Sequence, residues 1–227
     1  MARTEGRRAG PKTVAPAPAP DTPGRKGLVV LAIGGGAVVV ALVVALAAGL
    51  GKESPPSVGM PANPSVAVVG ESLPRLPDSG PDPAIGMAAP GLEGISFDGS
   101  PVRIADDGRP KVILFLAHWC PHCQAEVPAL QSYMNETGLP EGVDLYSVAT
   151  SNNPSSPNYP PSAWLNREGW TPPVLVDDAI GRAAEAFGLP GFPFYVLIAS
   201  DGTVVERLSG EQGPELIAAK MAVLAET

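Results

Sequence analysis

"FLAHWCPHCQAEVP", residues 115–128, holds both cysteines of the chain, Cys120 and Cys123, and both histidines, His118 and His122. Every thiol and imidazole in 227 residues therefore falls within six consecutive positions. Two chemistries account for such a cluster: a dithiol that makes and breaks a disulfide, or a metal site. The flanks argue for the first. "KVILFLA", Lys111–Ala117, is a continuous apolar run of the kind a strand buried on both faces shows. After the cysteines, Ala125, Val127, Leu130, Tyr133 and Met134 place apolar groups along one side of a helix. Cys120 thus stands where a strand ends and a helix begins. Pro121 follows at the first helical position, where its missing N–H loses no bond. Free N–H groups and the helix dipole favour an anion on Cys120, by about 0.3–1 kcal/mol when exposed and up to ~2 in a partly buried site. A protonated His122 acts in the same sense. Cys120 is the expected nucleophile and Cys123, one turn on, the resolving thiol. A ring this short restricts the unfolded chain very little, so the pair is chemical rather than a structural staple.

Outward from this centre the pattern alternates. "GISF" and "PVRI" flank Asp98-Gly99 and predict a hairpin. "VDLYSVAT", Val143–Thr150, predicts a second buried strand, and "SNNPSSPNYPP", Ser151–Pro161, a loop. A short helix around Ser162–Glu168 and a strand at Pro173–Val176 follow. "DDAIGRAAEAFG" opens on a capping Asp and closes on Gly188, the end signals of a helix. "FYVLIA" and "TVVERLS" predict a hairpin through Asp201-Gly202, and a last helix covers about Gly213–Glu226. Pro128 falls inside the helix after the cysteines and predicts a kink rather than an end. The order implies an α/β sandwich with a central mixed sheet.

The N-terminal part has another character. Residues 1–27 carry six basic groups against two acidic ones, a net of +4 in a chain whose total is −8. They show no apolar periodicity and are expected to be disordered. Leu28–Leu50 is 23 residues without a charge, long enough as a helix (~35 Å) to cross a hydrocarbon core of about 30 Å. A retained anchor is the leading reading; "ALA" at Ala45–Ala47 leaves a cleaved signal peptide as the alternative. The positive-inside rule puts the N-terminus in the cytoplasm and the acidic remainder outside. An acidic exported domain is not expected to bind nucleic acid. Residues 51–83 are rich in Pro, Ser and Gly, with one apolar patch at Val66–Val69, and predict a semi-extended tether. Ordered sequence is expected from near Ile85, with the folded domain at 84–227.

With these residues in place, the chain resembles the thioredoxin-like superfamily, in particular the membrane-anchored TlpA-like thiol–disulfide oxidoreductases of the cytochrome-maturation type. The likeness spans Gly86–Glu226 and rests on "WCPHCQAEVPAL", on "PPVLVDDAIGRAAEAFGLPGFPFYVLIASDG", and on the "LSG" before the last helix. It implies a thioredoxin-like α/β/α sandwich with an N-terminal β-hairpin and a central TlpA-type insertion at about Ser151–Pro173. It further implies that Pro193, after Phe192, is a cis-proline facing the disulfide and offering backbone bonds to substrate. Glu126 matches the acidic residue that moves protons for the second cysteine in TlpA-like proteins. Trp119 is expected to cover the disulfide and dock substrate; His118 receives no role. No cofactor is called for.

The resemblance is divided on direction. Cys-Pro-His-Cys is similar to the motif of DsbA-type oxidants, in which a stabilised thiolate makes the disulfide more oxidising. Leu114 stands where thioredoxins carry a buried Asp. Yet the 69 residues between Cys123 and Pro193 suit a TlpA-like insertion and are too few for the helical domain of DsbA-type proteins. The expectation is an exchanger of exported protein thiols or disulfides with a slight lean to oxidation, working with a membrane redox partner. The alternative is a TlpA-like reductase of cytochrome maturation. A copper-binding metallochaperone, using His118, Cys120, His122 and Cys123, is the alternative of another class; four ligands from six consecutive residues converge poorly on one tetrahedron.

Overall fold

The computed structural model describes residues 59–227. The basic segment 1–27, the apolar run Leu28–Leu50 and the start of the tether lie outside the described residues. Among the described residues no helix is long and apolar enough to cross a membrane.

A five-stranded sheet forms the centre, in the order β6-β5-β4-β7-β8. β4 (Lys111–Leu116) is its middle strand and is buried at every position. It pairs in parallel with β5 (Asp144–Ala149) and antiparallel with β7 (Phe194–Ile198). β5 pairs in parallel with β6 (Val174–Val176), and β7 antiparallel with β8 (Val204–Ser209). Alternation along β4 sorts its side chains onto two cores. Val112, Leu114 and Leu116 face one, with Val127 and Leu130 of helix α1 (Pro121–Thr137), Trp164 of α2 (Pro161–Arg167), and Ile217 and Met221 of α4 (Pro214–Leu224). Ile113 and Phe115 face the other, with Ala183 and Ala186 of α3 (Arg182–Ala186), Phe187 and Phe194. Helix α1 continues past Pro128 over 17 residues in all. Its apolar face has nowhere else to pack, and that burial outweighs the lost backbone bond.

The N-terminal hairpin, β2 (Gly91–Ile95) with β3 (Pro101–Ile104), gains a third strand. β1 (Ala67–Val69) pairs antiparallel with β2, in the register Val68 opposite Leu92. This corrects the expectation of a tether up to residue 83. Val66, Leu73 and Ala84 are buried, and the N–H groups of Leu73 and Leu76 donate to the carbonyls of Ala186 and Gly188 at 2.8 and 2.9 Å. The side chain of Arg207, fully buried, pairs with Asp82 and donates to the carbonyls of Pro74 and Phe187, both at 2.8 Å. Proline-rich chain without periodicity can still be ordered when its carbonyls and N–H groups find partners on a preformed surface.

Capping of α3 comes from two carboxylates. Asp177 accepts the N–H groups of Asp178, Ala183 and Ala184 as well as the Thr150 hydroxyl. Asp178 accepts those of Ile180 and Arg182.

Candidate active site

β4 delivers the chain to the sheet's C-terminal edge, Ala117–Trp119 turn it, and α1 starts at Pro121 with Cys120 as its N-cap. The turn is closed by the Cys120 N–H on the Ala117 carbonyl at 3.0 Å. Cys120 keeps 6% of its surface in contact with solvent and Cys123 keeps none. Both are free thiols. One thiol is thus open to solvent and the other is closed off. Burial pushes the Cys123 thiol far above the ordinary range, and the charges of Cys120 and Glu126 push the same way.

Glu126, one turn beyond Cys123, is almost wholly buried. Its Oε1 accepts the Tyr195 hydroxyl at 2.5 Å and the N–H groups of Gln212 and Gly213 at 3.2 Å each. Three donors satisfy this buried carboxyl group, so it is not left as an orphan. Burial, then the charge of Glu126, holds the Tyr195 hydroxyl well above its usual range, so it remains a donor.

On the other side of Cys120 the Phe192–Pro193 peptide is cis, and the Phe192 carbonyl lies 3.8 Å from the Cys120 Sγ. Pro193 is buried, and its carbonyl accepts the Gly210 N–H at 2.8 Å. Trp119, 36% exposed, stands edge-on to the Phe192 ring with centroids 5.8 Å apart. Its indole N–H donates to the Ser151 carbonyl at 2.8 Å. The thiol therefore lies by the Phe192 carbonyl, next to two aromatic rings packed against each other.

The two histidines part company. His122 and Pro121 are exposed, and the His122 Nδ1 pairs with the carboxylate of Glu211. His118 is buried, with Nδ1 2.7 Å from the Pro157 carbonyl and Nε2 accepting the Asn153 N–H at 3.1 Å. These bonds make it a neutral ring with the proton on Nδ1, and burial pushes its protonation below the usual histidine range. Among the described residues no group of three or more His, Cys, Asp and Glu is gathered as metal ligands; both ring nitrogens of His118 are turned into the loop.

Residues 68–221 match the Redoxin family profile. The chain belongs to the Redoxin family. It is 29% identical over 136 residues to the thiol-disulfide oxidoreductase ResA of Bacillus thuringiensis (strain Al Hakam), covering 58% of this chain and 73% of that one. The likeness to the thiol:disulfide interchange protein DsbE homolog of Paracoccus denitrificans is also 29%, over 138 residues, covering 59% and 71%. Two solved structures share the fold. One is a thioredoxin family thiol:disulfide interchange protein from Chlorobium tepidum TLS, with TM-score 0.52, 22% identity, and 62% and 97% of the two chains covered. The other is StoA from Bacillus subtilis, with TM-score 0.50, 19% identity, and 61% and 99% covered. This Redoxin chain is a thioredoxin-like protein of the TlpA/ResA type and a thiol–disulfide oxidoreductase.

Reading the sequence of this Redoxin protein missed several groups at the site. Tyr195 lies in an apolar strand run with nothing to mark it as polar. Glu211, Gln212 and Gly213 arrive from far along the chain. His118 and the loop on it stand 35 to 40 residues apart.

Proposed function

We propose that this protein is a membrane-tethered, extracytoplasmic disulfide reductase for a protein partner. The exchange chemistry is carried by the buried Glu126 beside a resolving thiol whose acidity burial suppresses, and its direction by the carboxylate set on His122. In the cycle, the Cys120 thiolate attacks one sulfur of a substrate disulfide. That bond breaks, the first substrate thiolate leaves and takes a proton, and a mixed disulfide joins Cys120 to the second sulfur. Cys123 then gives its proton to Glu126 and attacks the Cys120 Sγ, releasing the second substrate thiolate, which is protonated in turn. Two electrons have passed to the substrate and the Cys120–Cys123 disulfide has formed. A dithiol donor at the membrane restores the pair by the reverse exchange. Trp119, Phe192 and Pro193 are the docking residues, with the Phe192 carbonyl facing the bond that changes hands.

The reductive direction rests on His122. An imidazolium beside Cys120 would stabilise the thiolate and make the disulfide oxidising. Here Glu211 sits on that ring, so its negative charge offsets the field His122 can exert on Cys120. The similarity to the cytochrome-maturation type makes an apocytochrome disulfide the first target to try. Tethering rests on the apolar run Leu28–Leu50 and its basic flank.

Oxidation of exported thiols is the second reading, favoured by His122 in the Cys-Pro-His-Cys motif. The deciding experiment equilibrates the full chain, purified in detergent, against glutathione and compares it with His122→Pro. A potential well below the glutathione couple, little moved by the substitution, supports the reductase. A potential above it that falls in His122→Pro makes the protein an oxidant.

A further inference from the structure

His118 takes no part in the exchange cycle. It stands two residues before Cys120, is 1% exposed, and uses both ring nitrogens. Both bonds go to a single loop, 151–160, between β5 and α2. The neighbouring side chain repeats the choice, since the Trp119 indole donates to Ser151 in the same loop. The His118 carbonyl takes the Asn158 amide at 3.4 Å and the Gln124 amide of α1 at 2.9 Å, and the ring of Tyr159 stands edge-on to His118 at 5.7 Å. The turn that carries Cys120 and the loop are thus stitched together at Ser151, Asn153, Pro157 and Asn158.

The loop is a poor candidate for mere filling. Ser151, Asn153, Pro154, Ser155, Pro157 and Tyr159 are exposed. Within it the Asn152 Oδ1 is buried with no partner among the described residues, and an orphaned acceptor of that kind calls for an explanation beyond folding. Ser151 and Asn158 take positive φ values, 52° and 61°, a conformation that side-chain-bearing residues hold only when their surroundings enforce it. What the stitching fixes is Trp119, the residue before Cys120, whose indole N–H is held on the Ser151 carbonyl.

We infer that His118 is a positioning residue that seats the loop 151–160 as one wall of the groove in which an extended polypeptide docks against Cys120. Neutral histidine suits the task because it donates from one edge and accepts at the other, so a single rigid side chain holds two loop positions four residues apart. The inference rests on thiol–disulfide exchange at Cys120 and holds in either direction, since a protein chain docks there in both.

The test uses the full chain in detergent and two assays: dithiothreitol-driven reduction of insulin, and oxidation of reduced ribonuclease A driven by glutathione disulfide. In the direction that turns over, His118→Phe is expected to raise KM for the protein substrate about tenfold, the scale of two lost hydrogen bonds, with kcat much less affected. His118→Gln, which can again donate and accept, is expected to recover part of that loss. Asn153→Pro removes the N–H that Nε2 accepts while leaving the histidine in place; it is expected to raise KM as well, and it carries the test if His118→Phe does not fold. A KM unchanged from wild type in folded His118→Phe or Asn153→Pro, or a fall in kcat at constant KM, overturns the inference. A wild type that turns over only in the oxidative assay overturns the reductive reading above and still tests His118.

Discussion

The hydroxyl of Tyr195, on the strand beside β4, donates a 2.5 Å hydrogen bond to Oε1 of Glu126 on helix α1. The bond crosses from sheet to helix one turn beyond Cys123. It leaves the carboxylate fixed on three donors instead of free to turn in a cavity. Tyr195→Phe removes one of them from a buried charged group, and such bonds are worth about 1.5–3 kcal/mol. The variant is expected to unfold at lower denaturant and to resolve mixed disulfides more slowly. Glu126→Gln goes further, because an amide keeps an oxygen for these donors but cannot take the Cys123 proton. Stopped-flow kinetics of the second chemical step should show a larger slowing for Glu126→Gln than for Tyr195→Phe.

The two thiols should react in strict order. Cys120 touches solvent and Cys123 does not, and burial pushes the Cys123 thiol up. Iodoacetamide at neutral pH is expected to label Cys120 alone, as read by mass spectrometry of the peptide that carries both. Cys123→Ser should accumulate the mixed disulfide with substrate, while Cys120→Ser should abolish exchange. Labelling of Cys123 first would reverse the assignment of nucleophile and resolving thiol.

Acid should act through His118. Its protonation is pushed below the ordinary histidine value, chiefly by burial and against the bond to the Pro157 carbonyl. The unfolded chain therefore binds this proton at a higher pH than the folded one does. The contribution to stability is complete above about pH 6.5, the unfolded value, and is lost as pH falls through the folded value. The protonated ring would also set an N–H on Nε2 against the Asn153 N–H. Denaturant midpoints taken at falling pH should drop more steeply for the wild type than for His118→Gln.

The belt before the hairpin is testable at Gly188. This residue has φ +66°, and a Cβ there would lie 2.3 Å from the Pro74 carbonyl and 2.8 Å from the Arg207 guanidinium. Both the left-handed backbone and the overlap oppose any side chain. Gly188→Ala is expected to cost about 1–3 kcal/mol and to loosen the segment around Pro74. Hydrogen exchange at the Leu73 and Leu76 N–H groups is the local readout, since both bond to the chain just before and at Gly188.

Much of this protein was legible in one dimension because its signals are local. An apolar run of β4's length can be buried on both faces whatever surrounds it. A cysteine followed by proline at a strand–helix junction has the same N-terminal helix environment in any such fold. The alternation of strands with helices, the Asp-Gly turns and the passage of α1 through Pro128 follow from spacing and residue type. Non-local partners were not legible. Proline-rich chain at residues 66–84 carries no period of its own, so its ordering against Arg207 and the α3 end could not be inferred. Sequence alone determined the redox chemistry and the frame that presents it, because both arise between residues a few positions apart. Only the tertiary structure decided that Tyr195 and the 212–213 backbone hold Glu126, that Glu211 sits on His122, and that His118 faces the 151–160 loop. Each of those contacts joins residues at least 35 positions apart, and which of them meet is set by strand order and packing, to which no short stretch of chain has access.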